Sequence, residues 1–194
     1  MDVELVRQCA DDSLKPEIVE RFVETIGVES PLAITVTIDG KAVLISEPRN
    51  PAEAVDTVRR YVGKAIVRVG LTQYPAGVGA EDTSAIDARL VDPCENIRLG
   101  TTLFAKIYRI VTNWYGGFMP EAFDDSIEAY RSGHFEGEYV FAKGNPGNVE
   151  PETSVAEDDG DEPAPTSETE PEGDPYKAGT RIDLDRIGVG AADR

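Results

Sequence analysis

The spacing of apolar residues changes period along this chain. Between Pro16 and Gly27, Ile18, Phe22, Val23 and Ile26 recur at helical intervals. That pattern predicts a helix with proline at its first position and glycine at its stop. From Leu32 to Ser46 the period is two: Ile34, Val36 and Ile38 alternate with polar residues, then Asp39-Gly40, then Val43 and Ile45. Asp-Gly between alternating runs predicts a β-hairpin. Asn50-Pro51-Ala52-Glu53 supplies an N-cap, a first-turn proline and a reciprocal glutamate for a helix running to about Val62 and ending at Gly63. Asp92-Pro93 opens the longest predicted helix, with Ile97, Phe104, Ile107, Tyr108, Val111, Trp114 and Tyr115 as its buried side and Gly116-Gly117 as its stop. A last helix starts at Pro120, buries Phe123, Ile127 and Tyr130, and ends at Gly133. A short strand is expected within Phe135 to Phe141, and no internal repeat is found. The pattern is α+β, mainly helical, with one small β-hairpin.

Charge adds a boundary. The 194 residues carry a formal net charge of −18, of which −10 falls in residues 144–194 and −8 in residues 1–143. Between Glu150 and Asp174 there are eleven acids, no bases and repeated prolines. Such a segment cannot bury enough apolar area to offset the entropy of ordering it. The chain is therefore expected to divide into a folded domain over 1–143, a disordered acidic, proline-rich linker over 144–175, and a C-terminal peptide over 176–194. In that peptide Arg181, Ile182, Leu184, Arg186, Ile187 and Val189 suit either docking or a frayed end.

The same charge disfavours duplex DNA as a direct partner, because phosphate contacts need clustered Lys and Arg. A single histidine, His134, excludes a His-rich metal site, and neither a Walker loop nor a Rossmann fingerprint is present, so no metal or cofactor is expected. No run reaches the ~18 apolar residues of a membrane span. The N-terminal stretch Met1 to Gln8 is acidic where a signal peptide is basic, which reads as a cytoplasmic protein, or a periplasmic one exported by a non-standard route. In keeping with a reducing compartment, Cys9 and Cys94 are expected as separate reduced core thiols rather than as a pair.

Four short segments follow one another in a particular order: Glu24-Thr25 with Pro31-Leu32-Ala33-Ile34, then Gly70-Leu71-Thr72-Gln73, then Asp92-Pro93-Cys94-Glu95-Asn96-Ile97 with Gly100, then Ala129-Tyr130-Arg131-Ser132-Gly133. The series resembles the lytic transglycosylases of lysozyme-like fold, and most of all the branch accompanying type IV secretion systems. The resemblance covers roughly residues 16–135. The whole chain is similar to the plasmid conjugal-transfer TraH family. Departures from the transglycosylase pattern are a longer loop between Glu24 and Pro31, Thr72 in place of Met, and Arg131 in place of Asn.

The resemblance implies a lysozyme-like transglycosylase domain that cleaves peptidoglycan between its sugars, with components of the conjugation and type IV secretion machinery as partners. It implies Glu24 as general acid and then base, with Gln73 and Tyr130 as substrate-binding residues that position the sugar and the acid. A carboxylic acid suits that task because a partly apolar cleft raises its pKa enough to protonate a leaving oxygen near neutral pH. Glu29, followed by Ser30, is the competing acid; its position beyond the expected helix places it second. The alternative is a catalytically inactive accessory or adaptor protein of conjugation with the same fold.

Each residue also has a plainer reading. Glu24 is then a solvated acid on an acidic helix, Gln73 a hydrogen-bonded structural amide and Tyr130 a core aromatic. Asp92, Asn96 and Gly100 are expected as helix cap, buried hydrogen bonder and close-packing glycine.

Overall fold

The computed structural model describes residues 2–79 and 82–147. The expected acidic linker, beyond its first four residues, and the C-terminal peptide lie outside the described residues. The described part is α+β and about half helical, with a small antiparallel sheet.

Among the described residues five α-helices carry the fold: α1 (Val3–Cys9), α2 (Pro16–Ile26), α3 (Pro51–Tyr61), α4 (Pro93–Trp114) and α5 (Pro120–Ser132). Their ends follow local chemistry. Prolines occupy the first turn of α2, α3, α4 and α5. Asn50 and Asp92 accept hydrogen bonds from the backbone N–H groups of Glu53 and Glu95, both at 2.9 Å. At the other end of α5, Gly133 adopts φ of 79°, a left-handed stop that a side chain would disfavour.

The sheet holds β1 (Ile34–Ile38), β2 (Lys41–Val43), β3 (Ile66–Val69) and β4 (Tyr74–Pro75) in the order β2-β1-β3-β4. The Asp39-Gly40 turn joins β1 to β2 as expected, with both residues at positive φ (50° and 74°). The expected single hairpin is nevertheless an underestimate. β3 pairs with β1 in the register Val36↔Val67 and brings β4 with it. At the C-terminal end, the expected single strand is a two-residue hairpin of β5 (His134–Phe135) and β6 (Glu138–Tyr139).

Buried residues fall into three groups. α2, α4 and α5 enclose Phe22, Phe104, Ile107, Phe123 and Tyr130. One sheet face packs Val36, Val67 and Val69 against Val55 and Val58 of α3. A smaller group, Val6, Cys9, Val19, Leu71 and Ile97, seats α1.

Two further expectations are corrected. Cys9 and Cys94 are not separate thiols: they form a disulfide, because the end of α1 packs on the first turn of α4 and brings their Cα atoms to 5.2 Å. Trp114 is not core. It is 57% exposed as the last residue of α4, and its ring rests edge-on against Tyr115 and Phe135. Tyr115, also expected within the helix, is its C-terminal cap and half-buried.

Candidate functional site

The four segments that stand far apart in sequence meet in one hydrogen-bonded network. Asn96 sits fully buried on α4. Its amide nitrogen donates to the carbonyls of Val69 (3.0 Å) and Leu90 (2.7 Å), and its oxygen accepts from the Thr72 N–H and hydroxyl, both at 2.9 Å. Two glycines admit this crossing. A Cβ on Gly70 would stand 2.3 Å from Asn96 Nδ2, and one on Gly100 would stand 2.2 Å from Thr72 Oγ1. The fully buried Tyr130 of α5 closes the network by donating its hydroxyl to the Thr72 carbonyl at 3.0 Å, and burial pushes its phenol well above the usual range.

Gln73 follows at φ of 50°, with its side chain held at both ends. Its Nε2 donates to the Gly70 carbonyl at 3.0 Å, and its Oε1 accepts from the Thr35 hydroxyl at 2.8 Å. Arg68 of β3 draws the sheet to α5: its guanidinium donates to the carbonyls of Gln73 (3.1 Å), Tyr130 (3.0 Å) and Arg131. Burial lowers the pKa of Arg68. Arg131 reaches back to the Thr25 carbonyl at the end of α2 (3.3 Å). The backbone N–H of Val28 bonds the Leu71 carbonyl at 3.0 Å, so the segment after α2 is tied to the same loop.

Glu24 and Glu29 lie elsewhere. Both are exposed, and both line a groove of about 900 Å³ between α1 and α2. Helical phase explains this: Glu20 and Glu24, one turn apart, share the face toward α1, where Glu20 pairs with Arg7 at 3.1 Å. Thr25 is rotated by about 100° from Glu24 and serves α5 instead. The groove floor is aliphatic, with Val6, Leu14, Val19, Val23 and Val28, and its lining includes no aromatic or amide side chain. Its rim carries Asp11, Asp12, Glu20, Glu24 and Glu29 against the single base Arg7. Burial acts to raise the Asp11 carboxyl, but hydrogen bonds from Ser13 and Thr102 outweigh it and hold Asp11 below the usual carboxylate range. Among the described residues no group of His, Cys, Asp and Glu has the arrangement to hold a metal ion, and no helix is long and apolar enough to cross a membrane.

Of the expected site residues, then, Gln73 and Tyr130 share one network, while Glu24 points into the groove on the α1 side. Asp92, Asn96 and Gly100 take the structural parts expected of them, and His134 is exposed. Sequence reading passed over Arg68 and the groove wall formed by α1. The available signals were a lone base in the apolar run Ile66-Val67-Arg68-Val69, and Asp2 standing as an N-cap before Val3-Glu4-Leu5-Val6.

These features define a class: an α+β domain pinned by a buried polar network, closed by one disulfide and bearing an acid-rimmed aliphatic groove. The chain belongs to the TraH_2 family, which matches residues 1–189. A relative in Sinorhizobium fredii (strain NBRC 101917 / NGR234), described as uncharacterized protein y4dP, is 44% identical over 197 residues, covering 97% of this chain and 98% of its own length. No solved structure matches the chain.

Proposed function

We propose that the protein serves conjugal plasmid transfer as an accessory of the transfer machinery, a transglycosylase-like scaffold kept for binding rather than for glycan cleavage. Membership of the TraH_2 family supports the process. The accessory part rests on one observation: the polar side chains that would position a sugar are engaged inside the fold. Tyr130 has no exposed surface, and both ends of the Gln73 amide are bonded to Thr35 and Gly70. The carboxylates of Glu24 and Glu29 face a groove whose lining offers a glycan no aromatic platform and no amide.

A second reading, peptidoglycan cleavage by a lytic transglycosylase with Glu24 or Glu29 as the acid, is favoured by the convergence of all four motif segments and by the disulfide. Disulfides persist in oxidising compartments such as the periplasm, where the wall lies.

Magnitudes separate the two readings. Loss of a general acid costs about 10²–10⁴-fold in rate. Loss of one exposed carboxylate from a binding surface costs up to about 1 kcal/mol, or roughly fivefold. The test is mating efficiency from donors carrying Glu24→Gln or Glu29→Gln in place of the wild-type gene. The accessory reading predicts a drop within about fivefold for each. A collapse of about a hundredfold or more in either, with protein level unchanged, would establish the enzyme instead.

A further inference from the structure

We infer that the groove between α1 and α2 is the docking site for a cationic amphipathic helix of a partner protein; the inference rests on the accessory reading above. Three properties of the groove point to that occupant. Its floor is aliphatic, and Val3 at its edge is 56% exposed, so an apolar helix face has something to bury against. Its rim carries five carboxylates, and its one base, Arg7, is already engaged by Glu20. Its walls are two helices, the geometry in which an amphipathic helix lies with residues i, i+3, i+4 and i+7 inward.

Charge selects among apolar occupants. A partner helix flanked by Lys and Arg gains from Asp11, Asp12, Glu24 and Glu29, the rim carboxylates beyond the Arg7–Glu20 pair, whereas an acidic helix meets like charge from the same four. An anionic membrane surface and nucleic acid are disfavoured for the same reason. A second copy of this chain would bring its own net charge of −18 to the contact.

The groove is held in shape by a covalent tie. α1 is a seven-residue helix seated by Val6 and Cys9, and the Cys9–Cys94 disulfide fixes its end to α4. Reduction frees one wall without touching the floor residues of α2.

The test uses the full-length, disulfide-intact protein and a synthetic peptide of leucine and lysine, with leucine at i, i+3, i+4 and i+7. Methyl NMR during titration should shift Leu14, Val23 and Val28, the half-buried floor residues, and Val3 at the edge. Salt should weaken binding, and the triple variant Glu20→Gln/Glu24→Gln/Glu29→Gln should weaken it by about tenfold, as removal of several exposed charges does. Val3→Asp is the discriminating variant. It adds an acid but removes an apolar anchor at an exposed position, so docking in the groove predicts weaker binding, whereas simple charge attraction predicts tighter binding. Shifts confined to residues 150–174, tighter binding by Val3→Asp, equal binding of a leucine–glutamate peptide, or self-association through the groove without peptide would each overturn the proposal. A failed titration removes the groove's assignment alone, because the mating assay scores the accessory reading without reference to this peptide.

Discussion

Asn96 fills every hydrogen-bonding position an amide has: two donors to carbonyls, and two acceptor positions taken by one residue, Thr72. Truncating it strands the Thr72 N–H in the interior, frees the Leu90 carbonyl from its partner and removes the side-chain donor to the Val69 carbonyl. Each buried group left without a partner costs about 1–3 kcal/mol, so Asn96→Ala is expected to destabilise by about 3 kcal/mol or more in urea unfolding. Tyr130→Phe removes one hydroxyl and strands one carbonyl, for about 1–3 kcal/mol. Glu24→Gln, at an exposed position with no hydrogen-bond partner among the described residues, should change stability by less than about 0.5 kcal/mol. This ordering separates the residues that build the molecule from those left free to act. It also marks what was legible at this scale. Asn96 as a buried hydrogen bonder and Gly100 as a close-packing glycine could be read from the motif. Arg68 could not, because its three acceptors come from segments 5 to 63 positions away.

At the scale of elements, local signals were sufficient for the helices and insufficient for the sheet. α2, α3, α4 and α5 begin at first-turn prolines, and Gly27 and Gly133 stop two of them, information that lies within a few residues of each boundary. β3 depends on pairing with β1 across the whole of α3, and the disulfide joins residues 85 apart, so neither leaves a local trace. Closing a loop of that length restricts the unfolded chain, so the double variant Cys9→Ser/Cys94→Ser should lose about 2–5 kcal/mol in urea unfolding relative to the oxidised protein. An unchanged midpoint would show that the bridge does not constrain the chain.

The Tyr115 hydroxyl donates to the Asp125 carboxylate at 2.6 Å and so links the end of α4 to α5. That hydrogen bond raises the phenol from its ordinary 10.0 to about 12. A pKa raised by folding means a contribution fully present below the unfolded value of 10.0 and lost as pH rises through about 12. A tyrosinate absorbance titration should show a step near pH 12 that is missing in Tyr115→Phe. Its persistence in that variant would assign the step to another tyrosine.

For the molecule as a whole, the motif segments and the candidate acids have parted company. The motifs converge on Thr72, Asn96 and Tyr130 inside the fold, while Glu24 and Glu29 face the groove between α1 and α2. Sequence order could indicate that the segments belong together. It could not show that one helical step, from Thr25 to Glu24, sends neighbouring residues to different sides of the same helix. The groove itself was illegible because one wall is α1, a short helix whose hold on the fold comes from Val6, Cys9 and the distant Cys94.

As an accessory of conjugal transfer, the proposed role, the domain binds a partner and leaves peptidoglycan intact. The most direct measurement is to incubate the disulfide-intact protein with peptidoglycan, beside its Glu24→Gln and Glu29→Gln variants, and to analyse the soluble products by mass spectrometry. No 1,6-anhydro muropeptides are expected from any of the three. Anhydro products from the wild type that disappear in either variant would contradict the accessory role and identify the acid.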